Sequence, residues 1–344
     1  MLLALAMTAQ AQEHSAGSTA PPEPTCKTCR WLDLETARIS TRFLFIDDGH
    51  GGTVAKQNQH QEVIEGKFKF DRSEKFTLNF GISSGENFAA EWNNTGWGGD
   101  HGSANLYLKR LYLAAMPVKG VEVQYGSFGF LKGESTAITS YADDGYVIGE
   151  RIVIERPEKL FFDQVAVTYG YFGDYSTPNI NKRYHRLKRS NYHQFLVGKK
   201  VGQRAAVSVD YTFQEGAETM REAVNLQVKE LRVIDTLRVE NYQRVDVDPA
   251  SGFAVTGAKH LSKRLTVGGG FAQVDRHFGL YNSDAFFEGR RVFVSSTIEL
   301  TPEFSISVHC NRAIANNFAV SNRNVVHLGF HYDLLKTLKR SGIF

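Results

Sequence analysis

The stretch KKVGQRAAVSVDYTFQ, residues 199–214, shows the pattern from which the fold of this chain can be inferred. After a short polar turn at 200–203, apolar and polar side chains alternate one by one. Val207 takes one face, Ser208 takes the other, and the pattern continues to Gln214. A period of two is that of a β-strand, because successive side chains of a strand point to opposite faces. The segment is therefore half of a β-hairpin.

This pattern of strand, short turn and strand occurs seven times along the chain. The short turns lie at 71–74, 117–120, 157–159, 200–203, 233–235, 262–264 and 301–303. The other connections are mostly longer and rich in Gly, Asn, Asp and aromatic residues. Alternation of tight turns and long loops is typical of a transmembrane β-barrel, with the turns on one side of the membrane and the loops on the other.

The alternation predicts sixteen strands. They are predicted at 35–46, 62–71, 75–85, 104–116, 120–131, 147–156, 160–172, 191–199, 203–214, 221–231, 236–246, 253–261, 264–276, 289–300, 303–313 and 324–334. The seven turns join strands two and three, four and five, and so on to fourteen and fifteen. The first and the sixteenth strand are left to close the barrel. The predicted fold class is all-β: a transmembrane, antiparallel, up-and-down barrel of about sixteen strands, with fourteen to eighteen also compatible with the pattern.

Composition excludes two other classes of protein. The chain has 344 residues and is 42% hydrophobic, but its mean hydropathy is -0.31 and it has no apolar run near 20 residues. A helical membrane protein is therefore excluded. The net charge of +3 is too small to indicate nucleic-acid binding.

The beginning of the chain has the features of an export signal. Residues 1–11 combine a short apolar region with the small-x-small sequence Ala9-Gln10-Ala11 and are interpreted as a signal peptide, with a disordered apolar tail as the alternative. Residues 12–33 are predicted to form a flexible periplasmic leader, since their first half is polar and rich in proline. Residues 34–344 are assigned to the barrel.

At the level of architecture, the chain resembles the general porin class of Gram-negative outer-membrane proteins. The resemblance is carried by the export signal, the hairpins between about 35 and 334, and the terminal Phe344. It implies an outer-membrane barrel in contact with lipid and lipopolysaccharide, a water-filled channel for small hydrophilic solutes and a homotrimer. Positions alternating back from Phe344, such as Gly342 and Arg340, are not apolar, which departs from the terminal strand of the class.

The resemblance also implies that the third long loop folds into the lumen as a constriction. The connection at 132–146 holds that place in the order of loops and carries three acids, while the first two strands carry basic residues on their polar faces. The candidate pore-lining residues are Glu134, Asp143, Asp144, Arg38, Arg42, Lys67 and Lys69. Acids facing bases would set a transverse field that orients dipolar solutes. The alternative is that the acids lie on an exposed loop and the bases only hydrate the lumen.

Cys26 and Cys29 form a C-x-x-C sequence in the predicted leader. Export implies an oxidising compartment, so the two cysteines are candidates for a local disulfide, with solvated thiols as the alternative. Without a second pair they cannot complete a four-cysteine zinc site. The spacing also resembles a Cys-Lys-x-Cys near the mature N-terminus of larger barrels that sheathe multihaem cytochromes. That resemblance implies a second function, a scaffold barrel for a periplasmic or electron-transfer partner.

Three histidines belong to the last two predicted strands: His309, His327 and His331. They are expected to face the lumen as hydrated polar residues, with a metal site as the alternative, since imidazole is the commonest metal ligand. No carboxylate or cysteine at matched spacing completes such a site. No metal or other cofactor is predicted. Ser307 and His309 share a strand face, but no hydrolase signature flanks them, so a barrel enzyme is the least favoured alternative.

The loop at 173–190 carries five basic residues and could bridge lipopolysaccharide phosphates, or simply be a solvated loop. Taken together, the sequence predicts a non-enzymatic outer-membrane channel of the porin type for small hydrophilic solutes or ions.

Overall fold

The computed structural model describes residues 30–88, 90–98, 101–136, 147–155, 158, 160–172, 190–228, 232–246, 250–275, 288–315 and 322–343. The predicted signal peptide, Cys26, Cys29, Asp143, Asp144, Phe344 and nearly all of the basic loop at 173–190 lie outside these residues. Within them the chain is almost entirely β-structure. The strands are β1 (Leu32–Asp47), β2 (Thr53–Lys69), β3 (Phe76–Ser84), β4 (Asn93–Asn94), β5 (Leu106–Val118), β6 (Val121–Phe128), β7 (Val147–Ile154), β8 (Gln164–Phe172), β9 (Tyr192–Val201), β10 (Ala205–Gln214), β11 (Ala217–Gln227), β12 (Thr236–Arg244), β13 (Ser251–His260), β14 (Leu265–Val274), β15 (Gly289–Glu299), β16 (Phe304–Ala315) and β17 (Asn324–Asp333).

Sixteen of these strands form a closed antiparallel ring, which confirms the predicted fold class. Neighbours in the chain pair with each other, and β1 closes the ring by pairing with β17 from Arg38 opposite Asp333 to Asp47 opposite Asn324. The seventeenth strand, β4, has two residues and pairs only with β2. It lies opposite Gln59 and His60 of β2, beyond the part of β2 that pairs with β3. It extends the wall where β3 is too short to follow β2.

The apolar face of the sheet is the outer one. On β1, Ile39 and Phe43 are each 44% exposed, whereas Ser40 and Arg42 on the opposite face are buried inside the barrel. The same inversion recurs around the ring, for example with exposed Val294 on β15. A soluble sheet buries its apolar face, so this arrangement is that of a barrel whose outer surface faces lipid and whose lumen is polar.

The predicted connection after residue 214 is wrong. The sequence predicted that the strand after residue 214 begins at 221, leaving a longer loop, but β11 begins at Ala217 and only Glu215 and Gly216 separate it from β10. Both turn residues have positive φ, 53° and 89°, as a two-residue hairpin turn of type I′ requires. Short turns therefore occur at both ends of the barrel. β2 is also longer than predicted, starting at Thr53 instead of 62.

The barrel is followed by a short helix, α1 (Leu334–Arg340). The side chain of Asp333 caps it by accepting a hydrogen bond of 3.0 Å from the backbone N–H of Lys336. Arg340 binds Glu303 in the last short turn, with 2.6 Å between Nη1 and Oε1. The helix explains why apolar alternation stops at Leu334. No helix within the described ranges is long and apolar enough to cross a membrane.

Candidate pore and constriction site

The chain that follows β6 lies against the inner wall of the barrel. Gln194 Nε2 on β9 donates a hydrogen bond of 2.7 Å to the carbonyl oxygen of Leu131. The backbone N–H of Glu134 donates to Ser208 Oγ on β10 at 2.9 Å, and Asn225 Nδ2 on β11 donates to Glu134 Oε2 at 3.0 Å. Residues 129–136, here called the inner loop, therefore run along the lumen wall past β9, β10 and β11.

The far end of the described inner loop is fastened to Glu240 on β12. Its carboxylate is fully buried and accepts hydrogen bonds from Ser135 Oγ at 2.8 Å, from the Thr136 backbone N–H at 2.9 Å and from Thr136 Oγ1 at 2.6 Å. Tyr242 Oη donates a fourth at 2.8 Å. These four hydrogen bonds satisfy a carboxylate that is removed from water, and three of them come from Ser135 and Thr136 of the inner loop.

The near end of the inner loop is held by Arg151 on β7. Its guanidinium lies 4.2 Å from the ring centroid of Phe128 and donates a hydrogen bond of 2.6 Å from Nη2 to the carbonyl oxygen of Gly129. Nε donates to Thr168 Oγ1 on β8 at 2.9 Å. A stacked, hydrogen-bonded guanidinium of this kind fixes direction as well as position. The chain thus leaves β6 already directed towards the lumen.

A buried ion pair lies on the wall that carries the inner loop. Arg221 on β11 binds Asp210 on β10, and both side chains are almost completely buried. Thr212, Thr219 and Gln194 complete the network of hydrogen bonds. Sequence reasoning missed this pair, although Asp210 and Arg221 are directly opposite once the two-residue turn is recognised.

Arg38 and Arg42 lie on the inner face of β1, on the opposite side of the ring from β10, eight strands away. Arg42 is only 3% exposed: Nε donates to Gln59 Oε1 at 2.7 Å, and the guanidinium lies 4.1 Å from the ring centroid of Trp92. Arg38 is half-buried and makes a longer contact of 3.4 Å with Gln61 Oε1. Of the two, Arg38 is the more open to the lumen.

Arg42 also begins a polar chain that fastens the loop before β5. Gln59 Nε2 donates to Asn94 Oδ1 at 2.8 Å, and Asn94 Nδ2 donates to Glu86 Oε2 at 3.1 Å. Trp92 from the same loop is buried against Arg42. The structural role of Arg42 was not visible in the sequence, because Trp92 is fifty residues away and no local pattern links them.

Lys67 and Lys69 lie elsewhere, near the short-turn end of β2. Lys67 Nζ is 3.2 Å from Glu74 and 3.4 Å from Glu35, and Lys69 Nζ is 2.7 Å from Glu74 and 3.4 Å from Asp33. Lys67 borders a polar cavity of about 350 Å³ in the wall. The two lysines therefore belong to an ion-pair network at the mouth of the barrel, and the structure does not bring them together with Arg42.

The histidines of the last two strands face the lumen. His331 forms hydrogen bonds through both ring nitrogens, to Ser307 Oγ at 2.8 Å and to Ser40 Oγ at 3.0 Å. Gly329 makes room for this contact, since a Cβ there would lie 2.7 Å from the Ser307 hydroxyl oxygen. Ser307 thus pairs with His331 on the neighbouring strand. The described residues hold no group of three or more His, Cys, Asp or Glu arranged for a metal ion.

The fold of the closed barrel is similar to that of solved porins. OmpF of Salmonella typhi, in complex with daunomycin, is 11% identical and has a TM-score of 0.60 over 88% of this chain and 97% of the porin. A triple mutant of the Rhodopseudomonas blastica porin is 10% identical, with a TM-score of 0.56 over 88% and 99%. The sequence matches no protein-family model and no curated protein. This chain therefore has the fold of a general porin-type β-barrel.

Proposed function

We propose that this protein is an outer-membrane channel through which small hydrophilic solutes and ions diffuse passively. The observation that carries the proposal is the inner loop, which narrows a closed, polar-lined barrel from within. The apolar outer surface supports a position in a membrane, and the likeness to OmpF and the R. blastica porin supports the outer membrane of a Gram-negative bacterium. The mechanism needs no covalent step: size and wall charge select the solute.

Charge on opposite walls would tune that selection. Arg38 lies on the β1 side, while Glu134 is held on the β10–β11 side by Ser208 and Asn225. A solute that passes between them would experience a field across the pore axis, strongest where the lumen is narrowest. In this proposal Arg38 is the main basic residue of the constriction, and Arg42 supports the wall behind it.

The experiment is reconstitution of the purified, tag-free protein into planar lipid bilayers. Discrete open steps that persist at low voltage, together with uptake of small sugars into liposomes, are the expected result. A silent barrel that copurifies with a periplasmic protein or a haem spectrum would instead support the scaffold function suggested by the C-x-x-C sequence. A protein that is folded and silent without such a partner would overturn the channel proposal.

The proposal extends to the assembly and its surroundings. We expect a homotrimer in contact with lipopolysaccharide, as the resemblance to general porins implies. Chemical cross-linking in native membranes, followed by gel electrophoresis without heating, would reveal a band at three times the monomer mass. A band at the monomer mass alone would contradict this part of the proposal.

A further inference from the structure

Two histidines meet on the inner wall of the barrel. His309 on β16 and His327 on β17 are directly opposite each other in the antiparallel register. Their ring centroids are 5.0 Å apart and their ring planes differ by 23°. They are only 8% and 7% exposed, so both imidazoles are removed from most of the water in the lumen.

Within the described ranges, neither imidazole forms a hydrogen bond. The Nδ1 atom of His327 is completely buried and has no partner there. His331, on the same face of β17, differs in having both of its ring nitrogens bound to serine hydroxyls. A buried polar nitrogen without a partner is costly and calls for an explanation such as a bound ion.

We propose that His309 and His327 form a two-imidazole site for a divalent transition metal that prefers nitrogen ligands. Residues directly opposite on antiparallel strands have Cβ atoms about 4.5–5.5 Å apart, which lets both side chains reach one ion. Metal–nitrogen bonds of about 2.0–2.1 Å require the two ligating atoms to lie within about 4 Å of each other. Rotation of the rings about χ2 would bring one nitrogen of each imidazole to that separation. Water or a solute anion would fill the remaining coordination positions of the metal.

Among common divalent ions, Cu²⁺ binds nitrogen sites most tightly, which makes it the best probe. The positive charge of Arg42, on the adjacent strand β1, disfavours binding of a metal cation between the two histidines. Its guanidinium, however, lies over Trp92 and binds Gln59 on the side of β2, and Glu91 interacts with it electrostatically. A bound dication would add positive charge to the wall that already carries Arg38. It should therefore reduce the passage of cations more than that of anions.

The direct test is binding of Cu²⁺ to tag-free protein in detergent, with Cys26, Cys29 and Cys310 replaced by serine so that thiols do not compete. Electron paramagnetic resonance should show nitrogen coupling from two imidazoles. His309→Gln and His327→Gln should each weaken binding at least about tenfold, the smallest loss typical even of an outer-shell partner. His331→Gln is the matched control and should bind as the parent does. Heat-dependent gel mobility checks that each variant is folded.

The second test is conductance, measured with and without Cu²⁺. The parent and His331→Gln should lose cation current reversibly on addition of the metal, and a chelator should restore it, whereas His309→Gln and His327→Gln should be insensitive. An absence of two-nitrogen coupling in the parent, or equal coupling in all variants, would overturn the metal site. Because the resonance signal does not depend on an open pore, a silent barrel that binds Cu²⁺ would reject the channel and keep the site.

Discussion

The hydroxyl of Ser135 donates a hydrogen bond of 2.8 Å to the carboxylate of Glu240, joining two residues that are 105 positions apart. This contact holds the end of the described inner loop against β12, six strands along the ring from β6, where the loop begins. Glu240 is fully buried and its four hydrogen-bond donors are all hydroxyl or backbone N–H groups. One carboxylate therefore holds the far end of the described inner loop through three of these hydrogen bonds.

Replacing that carboxylate should release the inner loop. Glu240→Ala removes the carboxylate that accepts hydrogen bonds from Ser135 and Thr136, at a cost of about 1–3 kcal/mol for each buried donor that stays unsatisfied. Single-channel recordings should then show larger steps with more open-state noise, while Glu240→Gln, which keeps one acceptor oxygen, should be intermediate. Glu222→Ala removes an exposed acid from the outer face of β11 and is the control. Unchanged steps in Glu240→Ala would show that the loop is held by other contacts.

Arg38 and Arg42 should differ in what they contribute. Arg38→Glu should shift ion selectivity towards cations, because this side chain is the more open to the lumen. Arg42→Gln should change selectivity less and lower stability more, since it removes the contacts with Trp92 and Gln59. Reversal potentials in a salt gradient measure the first effect and urea unfolding the second.

Lys56→Glu is the matched control for these two variants, because Lys56 lies on the outer face of β2 opposite Phe45. It reverses a charge of the same sign without changing the lumen. If Arg38→Glu moved the reversal potential no further than Lys56→Glu, the assignment of Arg38 to the constriction would be wrong.

The turn at Asp71 should make stability depend on pH. Hydrogen bonds from the Ser73 hydroxyl and from the backbone N–H groups of Phe76 and Lys75 lower the pKa of Asp71 to about 2. Because this lies below the unfolded value of about 3.9, the stabilisation is complete above about pH 5 and is lost as the pH falls through the folded value. Asp71→Asn should lower the urea midpoint at pH 7 and reduce the difference between pH 7 and pH 3. The same pH dependence in parent and variant would refute a role for this carboxylate.

Substitution by arginine at two neighbouring residues on β15 should affect different properties, stability at one and conductance at the other. Val294 lies midway along β15 and faces outward with 57% exposure, whereas Ser295 faces the lumen. Val294→Arg should cost about 2–4 kcal/mol of stability, the penalty of an arginine at the bilayer midplane. Ser295→Arg should leave stability nearly unchanged and reduce conductance. Unfolding measured in lipid vesicles reports the effect on stability, and conductance reports the effect on the lumen. Equal stabilities of the two variants would argue against a lipid-facing outer surface.

Much of the architecture could be predicted from local pattern. Alternation between Val207 and Ser208, and its repetition along the chain, indicated sixteen strands with an apolar outer face, and the structure has both. The miss at Glu215 and Gly216 was a failure to recognise a type I′ turn, which two positive φ angles make possible. With that turn identified, the opposition of Asp210 and Arg221 would have followed.

Which side chains face the lumen follows from the local sequence pattern, because a strand's period of two is a property of its own backbone. Which of those side chains come into contact depends on how the chain folds in three dimensions. Ser135 reaches Glu240 because a loop turns inward, and Arg42 stacks on Trp92 because β4 extends the wall beside β2. Both contacts depend on the path of a loop inside a closed ring, and no local period encodes that path.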